Sequence, residues 1–236
     1  MVAVSLAALA DIAMVMDQPH RIEWTPGLSV NAVWSLPSHF SGTALVLAHG
    51  AGNDLHQPLL AYLAQALSAR GIAVLRFNFP YVDAGRRTPN PASRLLASFS
   101  AAVVDARGRF GARLTRLVAG GKSMGAHMAA QLAARGDPIG GLLFLGYPLH
   151  ASGSTRLRDA YLRAARVPML FVQGERDSLC QLDLLRPVLA ELDAPVRLHE
   201  VAGGDHSFRL PAGSRYSQTN LYAEIASATE DWLGQI

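Results

Sequence analysis

The sequence has 236 residues, of which 50% are hydrophobic and 17% are charged, and its formal net charge is +3. These values exclude a disordered chain and favour one large α/β domain with a sizeable core. The basic residues are scattered arginines apart from one lysine, so we expect no nucleic-acid partner. The single cysteine, Cys180, excludes an intramolecular disulfide and a cysteine zinc site and suits a cytoplasmic protein.

We interpret residues 1–20 as an N-terminal extension that precedes a single domain at 21–236. The run MVAVSLAALADIAMVMDQ is apolar, but no basic residue precedes it and Asp11 interrupts it. Both features are atypical of a signal peptide, so secretion is the lesser alternative to a cytoplasmic location. The run is also too short and broken to span a bilayer, and no transmembrane segment follows, so we expect no membrane partner.

Strand-like and helix-like patterns alternate from residue 43 onward, with short apolar runs followed by longer segments of helical spacing. The predicted strands are 43–50, 72–79, 116–123, 141–149, 167–174 and 196–203. The predicted helices are 56–71, 93–110 (with Ser93 as its cap), 124–136, 180–192 and 220–233. Two weaker strand candidates, 21–24 and 28–37, suit an antiparallel pair at the sheet edge.

Strands that are apolar on both faces and separated by helices predict a mostly parallel central sheet with helices on both faces. The segment 150–166, between two predicted strands, is too short to form a cap domain. Sheets of this kind bind ligands beyond the carboxyl ends of their strands. Residues that carry chemistry are therefore expected at those strand ends.

The sequence GGKSMG (120–125) contains the pattern G-x-S-x-G directly after a predicted strand. Alone, this pattern is more often an ordinary turn, but between a strand and a helix it is typical of the sharp turn that exposes a nucleophilic serine. On that scaffold the order along the chain is nucleophile, acid, histidine. Asp177 and His206 follow two later strands in that order. Taken alone, Asp177 is equally consistent with a turn or helix-cap aspartate, and His206 with an exposed loop histidine. Together they predict a catalytic triad with Ser123.

Acyl transfer also requires donors for the oxyanion of the tetrahedral intermediate. The turn AHGAGN (48–53) is built from small residues, and we expect it to direct the backbone N–H of Ala51 toward the predicted reaction centre; the alternative is an ordinary turn that ends the strand. The N–H of Met124, directly after the predicted nucleophile, is the second expected donor.

Further polar residues near these loops are candidates for the substrate pocket. His127 lies one helical turn after Ser123 and either packs inward or contacts substrate, whereas Arg86 and Arg87 either hold a loop or recognise a carboxylate. The full set of pocket candidates is His49, Asn53, Tyr81, Arg86, Arg87 and His127. Lys122 and Asn78 shape the pocket or hold loops, Asp205 is expected to shape the loop of His206, and Asp183 is expected at the surface. Metal-ligand spacing is absent, so we expect neither a metal nor a cofactor.

The element order and the motifs AHGAG, GGKSMG, QGERD and GGDHSF resemble the α/β-hydrolase superfamily. The segments RFNFPYVDAGRRTPNP (76–91) and LGYPLH (145–150) are similar to small, capless bacterial hydrolases related to dienelactone hydrolase. That branch also resembles the hydrolase-like subunit of the NSL histone acetyltransferase complex. The resemblance covers about residues 28–236 and implies an α/β-hydrolase fold without a cap domain, with Ser123, Asp177 and His206 as its triad. Dienelactone hydrolase uses a cysteine nucleophile where this chain has serine, so lactone specificity does not transfer.

These features predict a serine hydrolase that cleaves a small ester, thioester or lactone through an acyl-enzyme. The alternative is an interaction module that has kept the fold and lost effective catalysis. A peptidase is a weaker alternative, because the sequence shows no lid or extended substrate groove. The expected partner is a small acyl substrate, and the sequence leaves its acyl chain length and the oligomeric state open.

Overall fold

The computed structural model describes residues 17–154 and 156–236, and within these ranges eight strands form one sheet. Their bounds are β1 Asp17–Thr25, β2 Leu28–Ser35, β3 Thr43–Ala48, β4 Ala73–Phe77, β5 Arg116–Lys122, β6 Gly141–Leu145, β7 Met169–Gly174 and β8 Val196–Val201. The strand order across the sheet is β1-β2-β4-β3-β5-β6-β7-β8. The six strands from β4 to β8 in this order are parallel, and β2 pairs antiparallel with both β1 and β4.

Helices cover both faces of this sheet. Their bounds are α1 Pro58–Ser68, α2 Pro80–Asp83, α3 Ala92–Phe110, α4 Met124–Ala134, α5 Ala160–Ala164, α6 Leu182–Ala190 and α7 Gln218–Leu233, and a 3-10 turn spans Gly111–Arg113. Successive residues of β3 serve opposite faces, since Val46 packs in the same core as Phe99, and Leu47 packs with Leu63 and Ile225. A strand buried on both faces needs apolar residues at every position, which explains the continuous apolar runs of the sequence. The predicted fold class is confirmed.

No cap domain stands between β6 and β7 in the described part of the chain. The helix found there, α5, has five residues. The carboxyl ends of the central strands are therefore left open to solvent at the place where such sheets bind ligands.

The predicted elements differ from the structure mainly at their ends. The strand predicted to reach residue 149 stops at Leu145, because Gly146 takes a positive φ of 65° and turns the chain out of the sheet. Ser93 is not a helix cap: α3 begins at Ala92 with Pro91 in the cap position, and the extended backbone of Pro91 sets the start of the helix. The short helices α2 and α5 were not predicted.

The edge strand β1 starts at Asp17, four residues before its predicted start, and pairs antiparallel with β2 from Asp17 opposite Ser35. Residues 17–20 of the predicted extension therefore belong to the sheet edge. The prediction of an atypical signal falls on residues 1–16, which lie outside the described ranges. Of the helices that the structure describes, none is long and apolar enough to cross a membrane.

Candidate active site

Ser123 stands in the sharp turn between β5 and α4. Its φ of 51° and ψ of −108° lie outside the regions that non-glycine residues ordinarily occupy. The backbone fixes this conformation from both sides: the Ser123 N–H donates to Leu145 O at 3.1 Å, and the His127 N–H donates to Ser123 O at 3.0 Å. The strained turn lifts the serine hydroxyl out of the sheet toward the open strand ends.

The two glycines that flank Ser123 are required by the close approach of the neighbouring strand. A Cβ on Gly121 would stand 2.1 Å from the carbonyl oxygen of Ala48, and one on Gly125 would stand 2.3 Å from the same oxygen. No non-bonded heavy atom approaches a carbon so closely, so a larger residue would push β5 away from β3 at position 121 and α4 away from β3 at position 125. The G-x-S-x-G spacing is thus a packing requirement of the turn itself.

The side chains of Ser123, His206 and Asp177 form one hydrogen-bonded chain. His206 Nε2 lies 2.8 Å from Ser123 Oγ, and His206 Nδ1 lies 2.7 Å from Asp177 Oδ2. A carboxylate only accepts, so Nδ1 carries the proton and Nε2 is left free to accept one from the serine hydroxyl. The Asp177 carboxylate is fully buried, whereas the His206 side chain is 22% exposed and can meet a substrate.

A further buried residue, Gln173, holds the Asp177 carboxylate. Its amide nitrogen donates to Asp177 Oδ2 at 2.5 Å, and the backbone N–H of Leu179 donates to Asp177 Oδ1 at 2.8 Å. The Gln173 amide is itself oriented by the Tyr147 N–H, which donates to its carbonyl oxygen at 3.0 Å. Sequence reasoning missed Gln173, although a polar residue inside an apolar strand was the signal that could have identified it.

The loop after β8 presents His206. Asp205 shapes this loop, as expected: its Oδ1 accepts the N–H groups of Ser207 and Arg209, both at 2.8 Å. Phe208 has a φ of 58° and a fully buried side chain, which anchors the loop in the core. The imidazole is therefore held by a turn with its own hydrogen bonds.

The hydrogen-bonded chain opens into a cleft of about 460 Å³. The residues that line it are Gly50, Ala51, Asn53, Gln57, Pro58, Lys122, Ser123, His206, Ser207, Arg209, Gln218 and Tyr222. Ala51 thus lies beside Ser123 in the cleft. Met124 is the first residue of α4, so its N–H has no acceptor within the helix. The two predicted oxyanion donors thus belong to a residue that lines the cleft and to the residue that directly follows Ser123.

A second depression of about 470 Å³ adjoins the cleft and shares Asn53, Gln57 and Pro58 with it. Tyr81 lines it, and burial raises the pKa of its hydroxyl. The exposed side chains of Arg86 and Arg87 line the same depression.

Comparison with known proteins places this chain in a family. The sequence profile described as the alpha/beta hydrolase domain matches residues 41–234. The chain belongs to the α/β-hydrolase family. This confirms the predicted family and, at the level of that family, an enzyme of the α/β-hydrolase type.

Several solved structures share this α/β-hydrolase fold at low sequence identity. A dienelactone hydrolase from Anabaena variabilis is 17% identical with a TM-score of 0.75, covering 93% of this chain and 97% of that one. A serine hydrolase without a lid from Xanthomonas campestris is 18% identical with a TM-score of 0.71, covering 93% and 94%. An esterase from Pyrococcus furiosus is 15% identical with a TM-score of 0.73, covering 96% and 92%. At these identities the likeness establishes the fold alone.

Two histidines among the pocket candidates line neither depression of this α/β hydrolase. His49 is fully buried: its Nε2 accepts the N–H of Phe79 at 3.1 Å, and its Nδ1 lies 2.8 Å from Gly50 O. Burial lowers the pKa of His49, so it is a neutral residue that holds the β3 turn against the segment after β4. The His127 Nδ1 lies 3.2 Å from the Tyr147 hydroxyl, and burial lowers the pKa of its ring, in keeping with the packing role.

Asn78 also holds loops together. Its amide oxygen accepts the N–H of Leu55 at 2.8 Å, and its amide nitrogen donates to the Asp83 carboxylate at 2.7 Å. Lys122, by contrast, lines the cleft. Across residues 17–154 and 156–236, no three His, Cys, Asp or Glu side chains gather as a metal site would require.

Proposed function

We propose that this α/β hydrolase is a serine hydrolase that cleaves a small ester, thioester or lactone through an acyl-enzyme on Ser123. The observation that carries the proposal is the hydrogen-bonded chain from the Ser123 hydroxyl through His206 to the buried Asp177. A serine hydroxyl becomes a useful nucleophile when an oriented base can take its proton, and His206, oriented by Asp177, is such a base.

In the acylation step, Ser123 Oγ attacks the carbonyl carbon of the substrate while His206 Nε2 takes the hydroxyl proton. Asp177 keeps the imidazole in the correct tautomer and stabilises the imidazolium that forms. The carbonyl oxygen becomes an oxyanion that accepts hydrogen bonds from the N–H groups of Ala51 and Met124. The intermediate then collapses: the bond to the leaving group breaks, and His206 returns its proton to that group.

In the deacylation step, a water molecule enters the open cleft and attacks the acyl carbon of the ester on Ser123. His206 takes one proton from the water and returns it to Ser123 Oγ as the acid is released. The cleft has no lid among the described residues, so water reaches the acyl-enzyme directly. This favours hydrolysis over transfer of the acyl group to another acceptor.

The charges around the cleft favour a substrate that carries an anionic group. Lys122 and Arg209 line the cleft, and no acidic side chain does so. Arg86 and Arg87 line the adjoining depression together with a single acidic residue, Asp54, and neither guanidinium pairs with a carboxylate of the described residues. Their side chains are therefore free to bind a substrate carboxylate, which supports the recognition role over loop holding. We expect Arg86→Met and Arg87→Met to raise the KM of a carboxylate-bearing ester more than that of its uncharged analogue.

The experiment is hydrolysis of p-nitrophenyl esters, from acetate to dodecanoate, by the wild-type protein and Ser123→Ala. We expect the variant to lose at least about 10³-fold in kcat/KM, because the nucleophile is gone. Ser152→Ala, at an exposed loop serine, is the matched control and should keep full activity. Undiminished turnover in Ser123→Ala would remove the assignment, and a folded wild-type protein inert to every ester would favour the interaction module.

A further inference from the structure

Lys122 is the only lysine of the chain, and it occupies the position directly before Ser123. It ends β5, it is only 5% exposed as a whole residue, and it lines the cleft. A buried charged side chain is costly unless it has a partner. Yet within the described residues the Lys122 ammonium forms no hydrogen bond. The ammonium therefore acts on its surroundings through its charge and not through hydrogen bonds.

The Lys122 ammonium and the Asp177 carboxylate both lie close to Gly146, a residue without a side chain. A Cβ on Gly146 would stand 3.0 Å from Lys122 Nζ, 3.3 Å from His206 O and 3.6 Å from Asp177 Oδ2. Gly146 thus leaves room for the ammonium next to the Asp177–His206 pair. Phe208 closes another side, with Nζ 5.5 Å from the centre of its ring.

The carboxylates of Asp177 and Asp205 both attract the Lys122 ammonium. Burial lowers the pKa of Lys122 to about 8, and the attraction of these two carboxylates opposes that shift. The side chain therefore carries its positive charge at neutral pH. The charge sits beside the one buried carboxylate on which the orientation of His206 depends.

We propose that Lys122 is a positioning residue of the reaction, whose ammonium balances the Asp177 carboxylate and so keeps His206 unprotonated and ready to accept the Ser123 proton. A buried carboxylate within hydrogen-bonding distance favours the protonated imidazole, which cannot act as a base. A positive charge near the same carboxylate opposes that protonation. This role rests on the proposed hydrolase function.

The other ionisable groups around His206 do not supply this charge. Arg209 lines the same cleft but is exposed, so solvent screens it. Asp205 is negative, and its Oδ1 is occupied by backbone N–H groups. His49 and Cys180 are neutral at pH 7, because burial lowers the pKa of the first and raises that of the second to about 12. Lys122 is thus the buried cation nearest to the pair.

The test compares Lys122→Met and Lys122→Gln, which remove the charge, with Lys122→Arg, which keeps it. Two quantities are measured against pH: kcat/KM for an uncharged p-nitrophenyl ester, and the imidazole resonances of His206 by NMR, assigned by their loss in His206→Gln. We expect both neutral variants to move the acidic limb of kcat/KM, and the midpoint of the His206 resonances, upward by on the order of one pH unit. Lys122→Arg should restore the wild-type position.

Arg197→Met is the matched control, because it removes one positive charge at the start of β8, away from the strand end that carries His206. It should move neither quantity. Unchanged midpoints in the neutral variants would overturn the inference, as would a change confined to KM, which would mean substrate binding. If neither neutral variant folds, the wild-type resonances decide. They should show a second step near pH 8 as Lys122 loses its proton, and its absence would also overturn the inference. The NMR readout requires no turnover, so this inference and the proposed function can fail separately.

Discussion

Among the individual residues of the site, Asp177 is the most firmly held, because three hydrogen-bond donors fix the orientation of its carboxylate. Gln173 and His206 both donate to Oδ2, and the Leu179 N–H donates to Oδ1. A carboxylate fixed in this way also fixes the orientation of the His206 imidazole, because its Nδ1–H donates to Asp177 Oδ2. Gln173 therefore contributes to the proposed reaction through Asp177 and not by touching substrate.

Replacing Gln173 by Met keeps its length and removes its hydrogen bonds to Asp177 and Tyr147. A buried hydrogen bond to a charged group contributes about 1.5–3 kcal/mol, so we expect kcat/KM to fall roughly ten- to hundredfold. Gln131→Met, at a half-buried glutamine of α4, is the matched control and should retain activity. Ester hydrolysis by the two purified variants makes the comparison. Equal activity in both would show that Gln173 does not orient the acid.

Lys122 also links the site to the pH dependence of stability. An unfolded lysine keeps its proton to about pH 10.5, whereas folded Lys122 loses it near pH 8. Between these values the unfolded chain binds more protons, so the free energy of unfolding rises with pH. Below pH 8 the folded protein bears the whole cost of burying the charge, on the order of 3 kcal/mol.

Lys122→Met should therefore be more stable than wild type at pH 7, and its advantage should shrink as the pH approaches 10.5. Urea unfolding of both proteins at a series of pH values measures this difference. A variant that is less stable than wild type at pH 7 would show that the ammonium stabilises the fold. In that case, burying the Lys122 charge would not lower the stability of the folded protein.

The residues of the candidate site were predictable to different degrees. Ser123, Asp177 and His206 lie in loops at strand ends, where chain order and strand position are readable, and the structure brings their side chains within hydrogen-bonding distance. His49 stands next to the same loops but points into backbone contacts. A sequence does not report the direction of a side chain, so that candidate could not be separated from the others.

At the scale of elements, the turn between β5 and α4 is the feature on which the site depends. The strand and helix approach β3 so closely that the backbone of Ala48 touches both flanking glycines. The strained serine conformation persists because these contacts leave no alternative path for the chain.

Gly125→Ala tests this packing, since its added methyl would stand 2.3 Å from Ala48 O. We expect a loss of several kcal/mol in stability, or a displaced Ser123 with at least about a hundredfold lower kcat/KM. Gly108→Ala is the matched control: it lies within α3 with open space around it, and should stabilise the protein by about 0.5–1 kcal/mol. Thermal unfolding and ester hydrolysis give both values. A Gly125→Ala protein with wild-type stability and activity would contradict the packing argument.

Elements with their own periodicity were predicted, and those that depend on tertiary contacts were not. The strands of the parallel sheet and the longer helices carry continuous or periodic apolar patterns, so their presence could be read from the sequence. Helices α2 and α5 have four and five residues, too few for a period to emerge. The early end of β6 follows from the turn at Gly146. The sequence GYPL (146–149) does not reveal that its glycine takes a positive φ.

At the scale of the whole molecule, Asp17 joins the edge strand to the rest of the domain. Its carboxylate accepts hydrogen bonds from Ser35 of β2, Gln65 of α1 and Arg76 of β4, the last at 2.6 Å. Arg76 is 1% exposed, so its charge depends on this partner inside the fold. The antiparallel edge pair was predicted, but its link to the core through Asp17 was not, because the partner positions are distant in sequence.

Asp17→Asn should lower the free energy of unfolding by about 1–2 kcal/mol, because it leaves the buried Arg76 guanidinium without a countercharge. Asp193→Asn is the matched control: it breaks an exposed contact with Arg166 at 3.4 Å and should change stability by less than about 0.5 kcal/mol. Urea unfolding at pH 7 gives both differences. Equal effects of the two changes would mean that Arg76 does not need this partner.

The proposed hydrolase requires an activated hydroxyl at Ser123, and covalent labelling tests that requirement most directly. The purified protein is treated with a fluorophosphonate, and the adduct is located by peptide mass spectrometry. We expect one adduct, on the peptide that contains Ser123, which is absent in Ser123→Ala and strongly slowed in His206→Gln. A folded wild-type protein that takes up no label, or takes it up at another residue, would contradict the account.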